Sequence, residues 1–488
     1  MTNTTASLET RLFIDGKYVD AKHPERLTCY RPTDNTIVTD DVHVANQEDV
    51  DAAVAAARAA FPKWAAMAPA ERAKILLKFA DLIEQHGDEL ANLEALCNGK
   101  PTAVFKAYEV PLCAGAYRCE MHYAGWCDKV EGQSFPADNG FLKIVRHEPI
   151  GVCAAINAFN GPLVMCGFKG APCLAAGNTM IMKASEKSPL SSLYLGKLAN
   201  EAGIPPGVIN FISGAGLTGA LLASHMGIDK VSFTGSTATG KKIAKAAVES
   251  NLKRVSLELG GKSPSIVFPD ANLDVAVQWC TQGIVGNSGQ ACIASSRVYV
   301  HESIRDVFID QMKTAFEAAK AGFGDPFSKT TTLPPLIDKL QFDRVSKFVE
   351  EGKKQSTIVT GGCALSSEGC WMVPTIFVDP EPGASIYKEE IFGPVVVISS
   401  FKDEEEVLAR ANDTEFGLSG AVFSQDVNRA LRVAGKLRSG TACVNCCTLV
   451  DLTTPFGGYK QSGWGRELGK AGIMSYLETK TVFVNMTY

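Results

Sequence analysis

Alternating apolar and polar positions open the chain and then give way to helical spacing. Residues 11–20, RLFIDGKYVD, alternate around an Asp-Gly pair, which predicts a β-hairpin. Asn46 then precedes two acidic residues and a series of apolar positions spaced for one helix face, so we expect a capped helix there. Residues 70–85 repeat the helical pattern. We expect these elements to be scaffold that carries no chemistry.

The pattern of apolar and polar positions changes after about residue 130. Residues 130–150 predict a long hairpin that turns at an Asn-Gly pair. From Gly151 onward, strand, turn and helix alternate, which is typical of a doubly wound parallel α/β sheet that binds ligands at the carboxyl ends of its strands. Asn160 and Lys183 follow two of these strands and are expected at such ends. A further strand and a helix over about 304–321 indicate a second α/β domain.

The composition of the chain narrows the classes of protein to which it can belong. A length of 488 residues predicts two or three domains. The formal charge of −5 and the lack of clustered Lys and Arg argue against a nucleic-acid partner. The N-terminus has no basic segment followed by an apolar one, and no apolar run reaches about 18 residues, so we expect neither secretion nor membrane insertion. The expected compartment is the reducing cytoplasm.

The cysteines fit free thiols better than a disulfide framework, because all 15 stand at irregular spacings. One Cys-x-x-Cys pair occurs, from Cys443 to Cys446, with Cys447 next to it. No second pair and no histidine cluster accompanies it, so we expect no metal site.

One stretch predicts a reactive cysteine. Residues 286–297, GNSGQACIASSR, place Cys292 among glycines and small polar residues, which let a backbone turn tightly and bring N–H groups beside a reacting oxygen. A buried structural cysteine is the ordinary alternative. Upstream, the segment LELGGKSP at 257–264 puts Glu258 beside a glycine pair after an apolar strand. A thiol and a carboxylate base are what acyl chemistry on cysteine requires.

Two glycine-rich turns compete as phosphate-binding sites. Residues 214–219, GAGLTG, satisfy the dinucleotide pattern GxGxxG. Residues 235–241, GSTATGK, approach a P-loop, but Lys242 stands where a magnesium-binding Ser or Thr is required, so ATP hydrolysis is not expected. The two patterns alone do not decide which turn binds a phosphate.

The two chemical stretches resemble the active-site signatures of the aldehyde dehydrogenase superfamily, in the same order. The Glu-Leu-Gly-Gly-Lys signature matches at 258–262, and the Gly-Gln-x-Cys-x-x-x-Ser-Arg signature matches at 289–297. Further family segments match at 233–240, 387–397 and 455–469, so the resemblance covers nearly all of the chain. It implies an α/β fold with a Rossmann-like doubly wound cofactor domain, a second α/β catalytic domain and a small β oligomerisation arm.

The resemblance also implies domain bounds and an assembly. Residues 1–128 and 149–259 would form the dinucleotide-binding domain, and residues 260–460 the catalytic domain. Residues 129–148 and 461–488 would form the oligomerisation arm and a C-terminal strand that could add to a neighbour's sheet. A homodimer or homotetramer is therefore expected, and a plain surface hairpin is the alternative for the arm.

The implied reaction is oxidation of a small-molecule aldehyde to a carboxylic acid with NAD(P)+. Cys292, as a nucleophile of low pKa, would attack the carbonyl, and the Asn160 amide with the Cys292 N–H would hold the oxyanion. After hydride transfer, Glu258 would activate the water that hydrolyses the thioester. A base at this place favours water over coenzyme A as the acyl acceptor.

The resemblance assigns the cofactor to the second glycine turn, where exposed N–H groups at a helix N-terminus would meet the pyrophosphate. Gly214, Gly216 and Gly219 would then form an ordinary strand-to-helix turn. Lys183 and Glu186 would hold the adenine ribose, and a carboxylate there favours NAD over NADP without excluding NADP. The implied cofactor residues are Lys183, Glu186, Phe233, Gly235, Ser236, Gly240, Leu259, Glu390 and Phe392.

Departures from the family at the substrate mouth indicate a wide tunnel. Gly161 stands where many relatives carry an aromatic residue, and Phe168 stands in place of a tryptophan. Val450 replaces a further aromatic residue. The loss of these walls predicts a bulky or aromatic aldehyde in preference to acetaldehyde. The implied substrate residues are Gly161, Phe168, Ala291, Ile293, Val450 and Phe456.

Other functions fit the residues less well. Semialdehyde dehydrogenases usually carry Arg or Lys in the substrate mouth, and none stands at Gly161, Phe168 or Val450. A non-catalytic structural protein of this fold, like the lens proteins related to the family, would have lost the nucleophile or the cofactor turn, and both are present here. A thiol hydrolase would require a histidine near the two signatures, where none occurs.

Overall fold

The computed structural model describes residues 8–118, 123–381 and 383–487, so the first seven residues, on which part of the expectation about secretion rests, lie outside the described residues. The strands are β1 Leu12–Ile14, β2 Lys17–Val19, β3 Arg26–Tyr30, β4 Ile37–His43, β5 Gln133–Asp138, β6 Phe141–Pro149, β7 Val152–Ile156, β8 Thr179–Lys183, β9 Ile209–Ile212, β10 Lys230–Thr234, β11 Arg254–Glu258, β12 Pro264–Val267, β13 Arg297–His301, β14 Thr357–Thr360, β15 Thr375–Val378, β16 Val395–Phe401, β17 Ser419–Phe423, β18 Thr441–Val444, β19 Gly463–Trp464 and β20 Leu477–Asn485. The helices are α1 Gln47–Ala66, α2 Pro69–Gln85, α3 Gly87–Asn98, α4 Thr102–Tyr117, α5 Tyr123–Trp126, α6 Pro162–Ala175, α7 Leu190–Ala202, α8 Gly216–Ser224, α9 Thr237–Ser250, α10 Leu273–Val285, α11 Arg305–Ala319, α12 Lys339–Gln355, α13 Ser385–Lys388, α14 Glu404–Asn412, α15 Val427–Ala434 and α16 Gly469–Met474.

The first hairpin and the first long helix confirm the sequence prediction. β1 and β2 pair antiparallel, with Leu12 opposite Val19. The Asn46 side chain accepts from the Asp49 N–H at 3.1 Å, and the Asp49 carboxylate accepts from the Asn46 N–H at 3.1 Å. This reciprocal pair satisfies two donors that the start of a helix would otherwise leave open.

The larger sheet has the strand order β19-β11-β10-β7-β8-β9-β1-β2 within the described residues. The five strands from β11 to β9 run parallel, and β19, β1 and β2 are antiparallel additions at the edges. Separate apolar clusters cover its two faces, which explains why the strands are nearly continuous apolar runs. The predicted doubly wound parallel sheet is confirmed.

The second sheet has the order β14-β15-β16-β13-β12-β17-β18, and every neighbouring pair except β14-β15 is parallel. The chain passes from the first sheet to the second between Glu258, which ends β11, and Pro264, which begins β12. The Leu-Gly-Gly-Lys segment is therefore the connection between the two sheets, and Glu258 lies next to it.

A three-stranded sheet, in the order β20-β6-β5, stands apart from the other two within the described chain. β5 and β6 form the predicted hairpin. The C-terminal strand β20 pairs with β6 of the same chain along its whole length, from Leu477 opposite Pro149 to Asn485 opposite Phe141. Its addition to a neighbour's sheet stays a prediction that concerns the other edge.

The predicted domain bounds stay predictions. Within residues 461–488, Gly463 and Trp464 pair with Leu257 and Glu258 in the larger sheet. A two-residue strand is too short to produce an alternating pattern, so the sequence gives no signal for it. No helix of the described ranges combines the length and the apolar character that crossing a membrane requires.

Candidate active site

Cys292 lies in a tight turn between α10 and β13. A 3-10 turn at Gly286–Gly289 has two central residues with φ near +50°, and Gly289 follows at +70°. A Cβ on Gly289 would lie 2.0 Å from the Gly393 carbonyl oxygen, so the backbone approach excludes any side chain there. The turn leaves the Cys292 residue partly exposed.

The Cys292 thiol and the Glu258 carboxyl lie close enough for each to shift the pKa of the other. Glu258 ends β11, is buried, and has one carboxyl oxygen without a hydrogen-bond partner among the described residues. Burial raises the pKa of Glu258 to about 7. The carboxyl is therefore close to half ionised near neutral pH, where a general base is most effective.

The thiol itself differs from the expected nucleophile of low pKa. Burial first, and then the charge and hydrogen bond of Glu258, raise the pKa of Cys292 well above that of a free thiol. The expectation of a low pKa is wrong for this arrangement, because the ionisable side chains that act on Cys292 are the carboxyls of Glu258 and Glu390, which disfavour a thiolate. A thiol with a raised pKa keeps its proton at neutral pH, and the Glu258 carboxyl is the neighbouring group that could accept it.

Asn160 follows β7 and joins the same site. Its side-chain amide donates to the Gln290 carbonyl at 3.1 Å, two residues before Cys292. An amide nitrogen carries two N–H groups, so one donor remains for a ligand oxygen. This bond ties the Asn160 amide to the turn that carries the Cys292 N–H, which an oxyanion site formed by the two groups would require.

A cavity of about 180 Å³ joins these residues to most of the predicted cofactor residues. Its walls come from the ends of β7, β10 and β11, the Cys292 turn, α12 and the segment after α13. The lining residues are Ala158, Phe159, Asn160, Thr234, Gly235, Ser236, Glu258, Leu259, Gly260, Cys292, Gln341, Arg344, Glu390 and Phe392. All three predicted catalytic residues therefore meet in one cavity.

The second glycine turn opens α9 beside this cavity. Ser236 caps α9 by accepting from the N–H three residues on at 3.3 Å, which leaves other N–H groups of the first turn for an anion. A Cβ on Gly240 would lie 2.6 Å from Leu259, and one on Gly235 would lie 2.5 Å from the Phe233 ring. Phe233 is buried beneath the turn and does not line the cavity, so it supports the turn from below.

The first glycine turn packs against its own helix. A Cβ on Gly214 would lie 2.0 Å from the Thr218 hydroxyl, which donates to the Ala45 carbonyl at 2.7 Å. A Cβ on Gly219 would lie 3.9 Å from Ile156. These contacts agree with a strand-to-helix turn whose glycines serve packing.

Lys183 and Glu186 lie at the end of β8, outside the cavity lining. Lys183 Nζ donates to the Ala184 carbonyl at 2.9 Å and lies 3.6 Å from the Glu186 carboxylate. Burial lowers the pKa of Lys183. The Glu186 side chain is 43% exposed, so its carboxylate can still accept from a ligand hydroxyl.

Glu390 and Phe392 form one wall of the cavity. A carboxylate oxygen of Glu390 accepts from the Gly261 N–H at 2.9 Å, and burial raises the pKa of Glu390. Phe392 adopts φ +59° and packs edge-to-face on Phe159 at 5.7 Å between ring centroids. A left-handed phenylalanine is uncommon and is maintained here by its surroundings, which fixes the ring on the wall.

Most of the predicted substrate residues belong to the apolar core against which the nucleophile packs. Phe168, Ile293 and Phe456 are buried in one large apolar cluster, and Cys292 and Val450 pack against it. The side of Cys292 that faces this cluster is therefore apolar.

Two other predicted substrate residues have different surroundings. Gly161 caps α6, and a Cβ there would contact Val164 at 3.6 Å, which leaves the space beside Asn160 open. Ala291 packs against the core of the second sheet and lines a separate small cavity with Gly289. The structure does not bring Ala291 together with the other substrate residues, because neighbouring side chains of the turn point to different sides.

Two charged residues near Glu258 received no role in the sequence analysis: Lys169 lies outside the matched segments, and Glu467 lies within residues 455–469. Lys169, fully buried in α6, pairs with Glu467 and donates to the Ser232 hydroxyl at 3.2 Å. Beyond the larger effect of burial, the charge of Glu467 raises the pKa of Glu258 and that of Lys169 lowers it. The sequence signal that could have identified this pair is a lone lysine within the apolar run of α6.

Two residues of α12 were also missed. Gln341 donates to the Phe392 carbonyl at 2.8 Å, and Arg344 donates to the Glu390 carbonyl at 2.6 Å. Both side chains line the cavity and fix the backbone of the segment that carries the predicted cofactor residues. A polar, amphipathic helix gives no sign of this in the sequence.

The remaining thiols lie elsewhere. Cys443, Cys446 and Cys447 are close enough to influence one another at the end of β18. Within the described ranges, no group of three His, Cys, Asp or Glu side chains is arranged to hold a metal ion.

Comparison with known proteins gives a consistent result along the whole chain. A profile described as the aldehyde dehydrogenase family matches residues 18–482. An aldehyde dehydrogenase of Emericella nidulans is 46% identical over 474 residues, which are 96% of this chain and 94% of that protein. Retinal dehydrogenase 2 of Homo sapiens is 44% identical, covering 98% of this chain and 92% of that protein. The structure of an NAD+ complex of an aldehyde dehydrogenase from Bacillus cereus matches with a TM-score of 0.95 at 43% identity, covering 98% and 97% of the two chains.

Proposed function

The chain belongs to the aldehyde dehydrogenase family, and from that premise we propose that it oxidises a bulky, aromatic aldehyde to the carboxylic acid with NAD+. As a member of this family it is an oxidoreductase acting on aldehydes. The observation that carries the proposal is the single cavity in which Cys292, Glu258 and Asn160 meet the N-terminus of α9.

The first step is attack by Cys292 on the aldehyde carbonyl. Glu258, close to the thiol and with a pKa of about 7, accepts the thiol proton as the carbon–sulfur bond forms. The remaining N–H of the Asn160 amide and the Cys292 N–H stabilise the oxyanion of the thiohemiacetal. The oxyanion then expels hydride and becomes the carbonyl of a thioester on Cys292.

The second step is hydrolysis of that thioester. Glu258 first releases the thiol proton to solvent and then takes a proton from a water molecule that attacks the thioester carbon. As the carbon–sulfur bond breaks, this proton passes to the Cys292 sulfur and restores the thiol. The unpartnered oxygen of Glu258 supports this role, because a buried carboxylate oxygen without a protein partner is available to bind a water.

The described residues fit NAD+, which would supply the hydride acceptor. The capped N-terminus of α9 offers N–H groups to a pyrophosphate, and Glu390 and Phe392 wall the cavity that leads to Cys292. Lys183 and Glu186 would hold the adenine ribose. A carboxylate at Glu186 would repel a 2′-phosphate, which favours NAD+ over NADP+.

The substrate class rests on the apolar side of Cys292. Gly161 and Val450 leave space where bulkier residues would narrow the approach, and Phe168, Ile293 and Phe456 supply apolar walls. The human relative is named for retinal, an aldehyde that is bulky but not aromatic, and it supports the bulk of the proposed substrate. A charged-tail semialdehyde would have no cationic partner among these five residues.

We also propose the division into a cofactor domain, a catalytic domain and an arm, and the assembly of a homo-oligomer through the arm. The three-stranded sheet exposes Phe135, Phe141 and Phe483, which an isolated chain would leave in water. The connection at residues 259–263 between the two larger sheets supports a domain division close to the predicted one.

The test is NADH formation with NAD+ and a series of aldehydes from acetaldehyde to substituted benzaldehydes. We expect kcat/KM for benzaldehydes to exceed that for acetaldehyde by at least about tenfold. Gly161→Phe should narrow the mouth and reduce that preference, and Cys292→Ala should abolish NADH formation. A higher kcat/KM for acetaldehyde or for a charged semialdehyde would contradict the proposed substrate class and leave the reaction class intact.

A further inference from the structure

The proposed oxyanion role of Asn160, on which this inference rests, depends on where the loop between β7 and α6 is held. Two side chains from the turn between α3 and α4 donate to consecutive carbonyls of that loop. Asn98 donates to the Phe159 carbonyl at 2.6 Å, and Lys100 Nζ donates to the Asn160 carbonyl at 2.7 Å. The turn is therefore bonded directly to the backbone of the predicted oxyanion residue.

Lys100 is a charged group held inside the protein. Its side chain is 5% exposed, and its nitrogen pairs with Glu109 of α4. Glu94 of α3 is a second buried carboxyl nearby, and although the charge of Lys100 lowers the pKa of Glu94, burial outweighs it and raises that pKa to about 7. A buried lysine destabilises the fold unless it is paired and hydrogen-bonded. The buried charge of Lys100 is therefore neutralised by an ion pair and satisfied by a hydrogen bond.

The ion pair between Lys100 and Glu109 is joined to the active-site loop by one hydrogen bond, from Lys100 to the Asn160 carbonyl. The ammonium of Lys100 has three N–H donors, of which one pairs with Glu109 and one bonds the Asn160 carbonyl. None of Lys100, Glu109 and Glu94 lines the cavity around Cys292. These groups cannot act on the aldehyde directly, and their influence passes through the backbone of Asn160.

The segment that carries Asn98 and Lys100 packs closely against Pro335. Gly99 ends α3 at φ +67°, and a Cβ there would lie 2.7 Å from Pro335. The Pro335 carbonyl accepts from the Gln290 side chain at 3.2 Å, and the Gln290 carbonyl accepts from the Asn160 amide at 3.1 Å. Asn160 is thus fixed at its backbone by the turn between α3 and α4 and at its side chain by the nucleophile turn.

We propose that Lys100 is a positioning residue for the oxidation. Its ammonium, neutralised by Glu109, holds the Asn160 carbonyl and thereby keeps the Asn160 amide where the oxyanion forms, while Asn98 holds the preceding carbonyl. A displacement of about 1 Å in such a group can lower turnover about a hundredfold. Binding of NAD+ depends on the α9 side of the cavity and should be affected much less.

A double-mutant cycle between Lys100 and Asn160 tests the proposal. Lys100→Met keeps much of the side-chain length and removes the donor. We expect it to lower kcat about 10–100-fold, with the KM for NAD+ changed less than about threefold. In the Asn160→Ala background the same substitution should cost less than about threefold, because the amide that Lys100 positions is already absent. The matched control is Lys106→Met, since Lys106 lies on the exposed surface of α4 and pairs with Asp88; it should retain kcat.

The outcomes separate this proposal from the proposed function. Equal losses for Lys100→Met with and without Asn160→Ala, or an unchanged kcat in Lys100→Met, would overturn the positioning role alone. An unchanged kcat in Asn160→Ala would instead remove the oxyanion role from the proposed function. Either of the two Lys100→Met results leaves the proposed oxyanion role of Asn160 intact, whereas the Asn160→Ala result removes it.

A second variant keeps the test valid if Lys100→Met folds poorly, because that substitution leaves Glu109 buried without its cation. Lys100→Met combined with Glu109→Gln removes both charges and preserves the volume. We expect the Tm to recover while kcat stays low. Recovery of kcat together with the Tm would mean that Lys100 acts through stability, and would overturn the proposal.

Discussion

At the scale of single residues, burial sets the chemistry of the reacting pair. Glu258 and Cys292 face each other, and each has a pKa above its ordinary value, chiefly because both are removed from water. The pair therefore retains its protons to a higher pH than either group would in water. Because the carboxylate form of Glu258 is the base, turnover should rise with pH through about 7 and level off above it.

Two neighbours should move this pH dependence in opposite directions. The charge of Lys169 lowers the pKa of Glu258, so Lys169→Met should shift the rise in kcat to higher pH. The charge of Glu467 raises that pKa, so Glu467→Gln should shift the rise to lower pH. The measurement is kcat against pH for both variants and the wild type. Shifts in the same direction would show that the two charges do not act on Glu258 separately.

The proposed catalytic residues could be predicted from the sequence, but the side chains around them could not. Cys292 and Glu258 stand in short sequence signatures, so their proposed roles follow from the local sequence alone. Lys169 meets Glu467 across 298 positions of the chain, and Lys100 meets Asn160 across 60, so their contacts exist only after folding. The raised pKa of Cys292 is of the same kind, because it depends on burial and on side chains brought together by three separate segments.

At the scale of elements, the two glycine turns have different packing and allow a direct test. A Cβ on Gly240 would lie 2.6 Å from Leu259, which lines the cavity, whereas a Cβ on Gly216 meets nothing within 4 Å. Gly240→Ala should cost about 1–3 kcal/mol of stability and raise the KM for NAD+, because Leu259 has to move. Gly216→Ala should stabilise α8 by about 0.5 kcal/mol and leave that KM unchanged.

Thermal unfolding and NAD+ kinetics of the two glycine variants would settle the comparison. A raised KM for NAD+ in Gly216→Ala would contradict the assignment of the pyrophosphate to the α9 turn. Turns and helices of this kind could be predicted from the sequence, because caps, glycines and apolar spacing are local features. The pairing of Gly463 and Trp464 with β11 was not, since a two-residue strand has no period.

At the scale of the whole molecule, the three-stranded sheet of the arm carries aromatic side chains that are exposed to water in a single chain. Phe135 and Phe483 lie on either side of Lys143 in register, on strands β5, β20 and β6, and are 46% and 65% exposed. Cross-strand neighbours share a face of the sheet, so the two exposed rings lie on one face with Lys143 between them. Such a surface suits association between copies of the chain.

Charged substitutions in the arm should therefore separate the copies. Phe135→Asp combined with Phe483→Asp should give a smaller particle by size-exclusion chromatography with light scattering, because two buried charges would oppose association. Val307→Asp is the control, since Val307 is an exposed apolar residue of α11 away from the arm. An unchanged mass for the arm variant would contradict assembly through this surface.

The most direct test of the whole account is rapid mixing of Glu258→Gln with NAD+ and a benzaldehyde, followed by NADH absorbance. Glu258→Gln removes a carboxylate whose charge raises the pKa of Cys292, so a thiolate can form by losing its proton to solvent and can attack the aldehyde, whereas a neutral water does not hydrolyse the thioester without a base. The account predicts a burst of about one NADH per site and then a steady rate lowered about 10²–10⁴-fold. Cys292→Ala should give neither phase. A steady rate equal to the wild type, or the absence of any burst, would contradict an acyl intermediate on Cys292 that Glu258 resolves.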